Sequence, residues 1–117
     1  MASNKKHVIA AVAVLFTGMF LTVNTCFSMT IGDSVKFYDR GKREYRRGDY
    51  DDAIEYFKKS INQCPESAIT PVAMYFLGKS YQEDGNKKMA SSTYDQLIGK
   101  YKTGKWVDWA KQQRKTL

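Results

Sequence analysis

The chain has 117 residues, and its 19 lysines and arginines exceed its 12 aspartates and glutamates, so the formal net charge at pH 7 is +7. This length fits one small domain. The only histidine is His7, and no cluster of His, Cys or carboxylate side chains stands at metal-ligand spacing. Nothing resembles a catalytic constellation, and no Gly-rich loop follows a strand. We therefore expect no enzyme, no metal, no cofactor and no small-molecule substrate.

The first 28 residues predict an export signal. Lys5 and Lys6 precede an apolar run over residues 8–23, and small and polar residues follow it. This order is typical of signal peptides. The run is also short for a membrane-spanning helix, which needs about 20 residues. We predict cleavage after Ser28, which would leave a periplasmic domain with a net charge of about +5.

Two other interpretations of this segment stay open. The run over residues 8–28 could remain as an uncut anchor in the inner membrane, and the rest of the chain would then be an accessory subunit of a membrane complex. Cys26 could instead carry a lipid, although the preceding Val-Asn-Thr lacks the usual Leu and the small Gly or Ala. We prefer cleavage to lipid attachment.

After cleavage at Ser28, Cys64 would be the one remaining cysteine of the chain. A single thiol forms no internal disulfide. We therefore interpret Cys64 as a half-buried small apolar side chain, with a bond between two molecules as the alternative.

From residue 31 onwards the sequence predicts an all-α domain. Apolar residues recur at three- and four-residue steps, and neither alternating β-branched runs nor an Asn-Gly hairpin signal occurs. Gly48, Pro65, Gly85 and Gly104 mark the breaks. The predicted helices span residues 33–47, 50–63, 68–84, 87–101 and 105–116. They form two helical hairpins and a closing helix.

The two hairpins share a sequence pattern at a spacing of 37 residues. A fixed period of this size predicts stacked structural repeats. A glycine within a helix costs about 1 kcal/mol relative to alanine, so its recurrence predicts helices that cross too closely for a Cβ atom, with an alanine as the small counterpart on the partner helix. The matching pairs are Gly41 with Gly78, Gly48 with Gly85, Ala53 with Ala90, Phe57 with Tyr94, and Ile61 with Ile98.

These positions resemble the signature of the tetratricopeptide repeat. The segment GDYDDAIEYF in the first unit, about residues 34–67, is a strong match, and the second unit covers about residues 68–102. The resemblance implies a fragment of an α-solenoid over residues 33–117, closed by a capping helix at 105–116. The signature residues are Gly41, Gly48, Ala53, Phe57, Pro65, Gly78, Gly85, Ala90 and Tyr94. The departures are Arg40, Glu44, Lys87 and Lys102, where the repeat usually has Leu, an aromatic residue, Tyr and Pro.

The long connector between the units, the export signal and the Trp-containing last helix resemble one exported subgroup of these proteins. It includes the periplasmic coordinator of the Tol–Pal envelope system and the repeat-bearing lipoprotein of outer-membrane protein assembly. The resemblance implies a protein-binding adaptor in cell-envelope organisation. Because two repeats are fewer than the three usually needed for stability, we also expect self-association or docking on a larger complex.

The same resemblance implies a concave groove that is lined by the first helix of each hairpin. Its inward positions combine aromatic side chains with cations, which suits an extended or helical peptide. The alternative is that several of these side chains pack the repeats together, and Tyr45 fits either role. The expected contact residues are Tyr38, Lys42, Tyr45, Arg46, Tyr75 and Lys79.

Six cations also cluster on the first helix of the domain. Such a surface can bind nucleic acid or anionic lipid. The interspersed Asp33, Asp39 and Glu44 favour a solvated face, and we expect no nucleic acid as partner of an exported protein. Contact with lipid headgroups is the second interpretation, because this helix follows the membrane-targeting segment directly. The cations are Lys36, Arg40, Lys42, Arg43, Arg46 and Arg47.

Overall fold

The computed structural model describes residues 28–117, with side chains from residue 31 onwards. This part of the chain is all-helical, which confirms the predicted fold class. Its helices are α1 (Ser28–Arg47), α2 (Tyr50–Gln63), α3 (Thr70–Glu83), α4 (Lys87–Tyr101) and α5 (Lys105–Thr116). Each helix packs against the next one, and α5 also contacts α3. Of the predicted signal segment, residues 1–28, only Ser28 is described. The predicted cleavage site after Ser28 therefore lies at the edge of the described residues.

The helix boundaries differ from the predicted ones at the start of α1 and at both ends of α3, which ends at Glu83, one residue early. α1 begins at Ser28, five residues before the predicted start. α3 begins at Thr70 because the preceding residues form a hydrogen-bonded turn: the Ser67 N–H donates to the Cys64 carbonyl at 3.2 Å, and the Thr70 hydroxyl donates to the same carbonyl at 2.8 Å. Pro71 in the first turn of α3 then loses no helical hydrogen bond. This turn fixes the connection between the two hairpins.

Both hairpins reverse direction through the same backbone motif. Gly48 and Gly85 each adopt a φ of 84°, a left-handed conformation that glycine reaches without strain. In both turns the glycine N–H bonds to the carbonyl three residues before it, and the next N–H bonds to the carbonyl five residues before it, at 2.8 to 3.1 Å. This is a Schellman motif. Its repetition confirms that the two hairpins are structural repeats of one unit.

The mid-helix glycines make room for aromatic rings. A Cβ atom on Gly41 would lie 2.8 Å from ring atoms of Phe57, and one on Gly78 would lie 2.5 Å from the ring of Tyr94. Both rings are fully buried. The expected close approach is therefore present in both repeats.

The prediction that an alanine of the partner helix faces each glycine was wrong. The atoms nearest to the missing Cβ belong to Phe57 and Tyr94, and not to Ala53 or Ala90. The two alanines are fully buried in the core, four residues before the rings on the same helices. They lie one turn away from the close contact, because residues four apart share a helix face.

A pair of serines adds a polar link within the first hairpin. The Ser34 hydroxyl of α1 donates to the Ser60 carbonyl at 2.8 Å, and the Ser60 hydroxyl of α2 donates to the Ser34 carbonyl at 2.7 Å. Both side chains are fully buried. Because each buried hydroxyl has a partner, this pair costs little and fixes the register of α1 against α2.

Cys64 differs from its prediction. It is fully buried rather than half-buried, and it is disulfide-bonded, so it does not titrate. The prediction followed from counting one cysteine after residue 28.

We predict that Gly41→Ala and Gly78→Ala both destabilise the fold. A Cβ would overlap a buried ring, which costs about 1 to 3 kcal/mol, and the better helix propensity of alanine offsets about 1 kcal/mol of this. We expect a net loss of up to about 2 kcal/mol in the free energy of unfolding, measured by urea denaturation. The loss should be larger at Gly78, where the contact is tighter.

The matched control is Gly99→Ala in α4. A Cβ at this position meets nothing within 4 Å, so this variant should gain up to about 1 kcal/mol. If Gly41→Ala and Gly78→Ala behave like Gly99→Ala, the close contact does not constrain the hairpins.

Candidate functional site

A continuous band of aromatic rings crosses the face formed by α1, α3 and α5. We call it the aromatic strip; it consists of Tyr38, Tyr45, Tyr75, Phe76, Trp106 and Trp109. Phe76 joins the two tyrosines of α1 to the other rings. The centroid distances are 6.4 Å for Tyr38–Phe76, 5.8 Å for Tyr45–Phe76, 5.4 Å for Tyr75–Phe76, 6.2 Å for Phe76–Trp106, 5.8 Å for Tyr75–Trp109 and 5.0 Å for Trp106–Trp109.

Helical periodicity brings these rings to one face. Tyr38 and Tyr45 are seven residues apart in α1, about two turns, and therefore lie on the same side. Trp106 and Trp109 are three residues apart at the start of α5 and also share a side. Gly104, with a φ of 115°, precedes α5 and permits the sharp turn that brings this helix back over α3.

The strip has a buried base and an open end. Tyr75 is 9% exposed and belongs to the hydrophobic core, whereas Trp109 is 42% exposed. Tyr38, Tyr45, Phe76 and Trp106 are half-buried. A partner would therefore touch the accessible parts of the half-buried rings and, most of all, Trp109.

Lysines lie over the rings at both ends of the strip. The Lys42 ammonium is 5.8 Å from the centroid of Tyr38, at the α1 end, and 4.7 Å from that of Phe76. The Lys105 ammonium is 4.8 Å from Trp106 and 5.5 Å from Trp109. These are cation–π distances. The ammonium groups remain near the surface, so they can also meet carboxylates of a partner.

The predicted contact residues fall into two groups. Tyr38, Lys42 and Arg46 line a surface depression of about 430 Å³ at the α1 end of the strip. Tyr75 and Lys79 instead hold α5 in place: Tyr75 lies beneath the two tryptophans. Lys79 donates to the Gln113 side chain at 3.3 Å and lies 3.5 Å from the Glu83 carboxylate.

Tyr45 combines the two roles that its sequence position allowed. Its ring packs against Tyr50 at 5.6 Å, within the first hairpin, and against Phe76 at 5.8 Å, across to the second one. It is also half-exposed on the strip. Its removal would therefore affect both packing and the surface.

Sequence reasoning missed four side chains of this face. Phe76 occupies an inward position of the second repeat, yet it was not chosen as a contact. Trp106, Trp109 and Lys105 lie on the closing helix, which has no counterpart in the repeat pattern. The three-residue spacing of the tryptophans was a usable signal, since it predicts one aromatic face on α5.

Burial raises the pKa of the strip tyrosines. The pKa values of Tyr38, Tyr45 and Tyr75 lie above the usual 10.0, chiefly because burial disfavours the phenolate; a nearby Asp39 carboxylate adds to this at Tyr38 and Glu83 does so at Tyr45. The hydroxyls are therefore protonated at neutral pH. They present apolar rings and neutral hydrogen-bonding groups to a partner.

A second groove lies on the opposite side of the repeats, between α2, α3 and α4. Its volume is about 360 Å³, and Met89 at its rim is 39% exposed. Its lining includes the adjacent Met74, Leu77 and Tyr81 of α3 as well as polar side chains, but it has no continuous band of rings. Within residues 28–117, no group of three or more potential metal ligands comes together, and no helix is both long and apolar enough to cross a bilayer.

The comparisons with known proteins agree with this architecture. The family model YfiO, described as outer membrane lipoprotein, matches residues 32–112. This range contains both hairpins, except the first four residues of α1, and most of α5. No curated protein matches the chain. The family and the five helices together confirm the resemblance to exported proteins with tetratricopeptide-like repeats.

We predict that stability falls at alkaline pH. Burial raises the pKa of the Tyr94 hydroxyl, which donates to the Gln82 side chain at 2.9 Å. A raised pKa means that the folded protein keeps this proton up to a higher pH than the unfolded chain does. The contribution of Tyr94 to the free energy of unfolding should therefore be constant around neutral pH and decline above the usual tyrosine value of 10.0.

Tyr94→Phe tests this assignment, and Phe57 at the equivalent position shows that the unit accepts a ring without the hydroxyl. The variant should lose about 1 kcal/mol at neutral pH, because the hydrogen bond is gone. Its stability should decline less steeply above pH 10 than that of the wild type, in urea titrations at several pH values. An equally steep decline would show that Tyr94 is not the group responsible.

Proposed function

The chain belongs to the outer membrane lipoprotein family YfiO, and from this premise we propose that it is an exported cell-envelope adaptor. It binds a peptide or a segment of a protein along the aromatic strip. It acts by binding, and not by catalysis.

The observation that carries this proposal is the continuity of the strip across three helices. Its rings are spaced at 5.0 to 6.4 Å, with Trp109 exposed at one end and a basic depression at the other. Tryptophan, tyrosine and arginine are the residues that most often dominate binding energy at protein interfaces. One of the six rings is exposed and four are half-buried, so the strip offers a connected aromatic surface and not a single exposed ring.

The charges around the strip indicate the chemistry of the partner. Lys42, Arg46 and Lys105 stand at its two ends, and Glu83 is already engaged by Lys79. A segment with apolar or aromatic side chains flanked by carboxylates would complement this surface. Such a segment could bind as a helix or as an extended chain.

A second candidate function is that of a membrane-anchored accessory subunit. It is favoured by the apolar run over residues 8–23, which could hold the repeats at the inner membrane. The family is described as outer membrane lipoprotein. This description does not support our sequence-based preference for cleavage over a lipid on Cys26. The processing of the N-terminus distinguishes these routes to the envelope.

We predict that peptides selected on this protein bind to the strip. A displayed library of random peptides would be enriched on the full-length chain and then measured against two variants. Trp109→Ala should weaken the selected peptides at least about tenfold, which is typical of a hot-spot residue. Met89→Ala is the matched control, because Met89 is 39% exposed and Trp109 is 42% exposed, on different surfaces.

The same peptides should also weaken when Lys42→Ala removes a cation at the α1 end. Equal binding by wild type, Trp109→Ala and Lys42→Ala would remove the strip as the binding site. A loss confined to Met89→Ala would assign binding to the groove between α2 and α4 instead.

We predict that the mature protein lacks Met1. Mass spectrometry of the N-terminal peptide, from protein isolated from cell envelopes, gives one of three results. A new terminus near Met29 supports cleavage after Ser28, and a lipid-bearing Cys26 supports export as a lipoprotein. An intact Met1 would contradict processing and support the anchored subunit; extraction of membranes with carbonate would then retain the chain.

A further inference from the structure

The outer face of α1 differs in chemistry from the equivalent face of α3. On α3 this face packs towards α2 and is small, apolar or aromatic. The Lys58 ammonium of α2 lies 5.9 Å from the ring of one member, Tyr81. The buried residues of this face are Ala73, Met74, Leu77, Ser80 and Tyr81. At the equivalent positions 37 residues earlier, α1 has Lys36, Phe37, Arg40, Arg43 and Glu44.

Four of the cations on α1 form one straight line. Lys36, Arg40, Arg43 and Arg47 follow each other at four-, three- and four-residue steps, so they lie within an arc of about 60° and span about 16 Å along the helix. We call these four residues the basic stripe. All four are exposed.

The acidic residues of α1 neutralise only the ends of the basic stripe. Lys36 lies 3.5 Å from Asp33, and Arg47 lies 3.4 Å from the Glu44 carboxylate. Within the described part of the chain, Arg40 and Arg43 have no carboxylate within ion-pair distance; Arg40 instead lies 5.2 Å from the ring centroid of Tyr56. The centre of the stripe therefore retains two cations that can meet an anion.

The basic stripe and the aromatic strip lie mostly on different sides of α1, and only Arg43 of the stripe also lines the depression that contains Tyr38 and Lys42. With about 100° per residue, the stripe points about 160° away from Tyr38, Lys42 and Tyr45 on the helical wheel. A flat surface in contact with the stripe would leave the strip open to a partner.

We propose that the basic stripe binds the phosphate headgroups of an anionic membrane surface. The match is one of charge and shape: four cations in a row on the outside of a regular helix can meet a plane of phosphates together. In the sequence this helix follows the apolar run over residues 8–23, so a chain retained at a membrane would hold the stripe near lipid.

An acidic protein is a poorer occupant for this face. The cores of protein interfaces are depleted in charged residues and need apolar side chains that lose water on binding. The centre of the stripe has none, since the adjacent Phe37 is half-buried and stacks on Tyr56 at 6.4 Å. A layer of hydrated phosphates requires no such core.

Chemical footprinting of the full-length chain tests the proposal. Phenylglyoxal modifies exposed arginines, and mass spectrometry of peptides gives the rate at each residue. The rates would be compared on vesicles of phosphatidylcholine and on equimolar vesicles of phosphatidylcholine and phosphatidylglycerol. We expect Arg40 and Arg43 to react at least about fivefold more slowly on the anionic vesicles. This factor corresponds to the attraction of about 1 kcal/mol between one cation and an anionic surface.

Arg46 is the internal control, because it is exposed on the same helix outside the stripe. Its rate should change less than about twofold. Equal slowing at Arg40, Arg43 and Arg46, or slowing at none of them, would overturn the proposal. Soluble polyglutamate at the same charge concentration represents a protein partner; if it protects Arg40 and Arg43 as well as the anionic vesicles do, the lipid assignment is wrong.

Charge-matched variants give an independent measurement. Arg40→Gln combined with Arg43→Gln should lower the preference of the full-length chain for anionic over neutral vesicles by about 25-fold. Lys111→Gln combined with Lys115→Gln removes the same charge from exposed positions of α5, and it should have a much smaller effect. Similar losses in the two double variants would mean that net charge, and not the stripe, attracts the vesicles. Circular dichroism verifies that both variants remain helical.

Discussion

The contact between a glycine of one helix and a buried ring of the next sets the geometry of both hairpins. Gly41 against Phe57 and Gly78 against Tyr94 leave no space for a Cβ atom. Two surfaces that fit this closely tolerate little change in crossing angle or distance, because packed interiors have few voids to absorb a shift. The same contact in both units means that the two hairpins have similar shapes and can stack side by side, and the face shared by α1 and α3 follows from that stacking.

The two ends of this stack are completed in different ways. At one end α5 covers the second hairpin: its tryptophans pack on Tyr75, and Gln113 accepts a hydrogen bond from Lys79. At the other end α1 presents charge where α3 presents apolar side chains. Both α1 and α5 are rich in cations, so the stacking of one copy onto the end of another brings like charges together. This disfavours open head-to-tail assembly, which is the general hazard of a heterologous interface.

The sequence was sufficient for the features that depend on local chemistry. Gly48 and Gly85 mark turns because few other residues adopt a positive φ, and the recurrence of Gly41 as Gly78 indicates a close helix crossing. It could not identify the ring facing each glycine, since helical spacing does not specify which atoms of a neighbouring helix meet. The sequence predicted the tyrosines of the strip but not its tryptophans, for a similar reason. Trp106 and Trp109 lie on a helix outside the repeat, and their position depends on the turn at Gly104. The burial of Cys64 was misjudged because a count of the cysteines after residue 28 does not determine how this side chain packs.

The packing of the strip also bears on how it would bind. Its rings already contact one another, and Tyr75 is held beneath Trp106 and Trp109 by the core. Side chains that are ordered before binding lose little further conformational freedom, whereas each flexible side chain immobilised at an interface costs about 0.5 to 1.5 kcal/mol. A two-repeat protein offers a short groove with few contacts, so low ordering costs matter more here than in a long solenoid. The exposed indole of Trp109, fixed at its base and open on its outer face, is therefore the side chain through which a partner gains most.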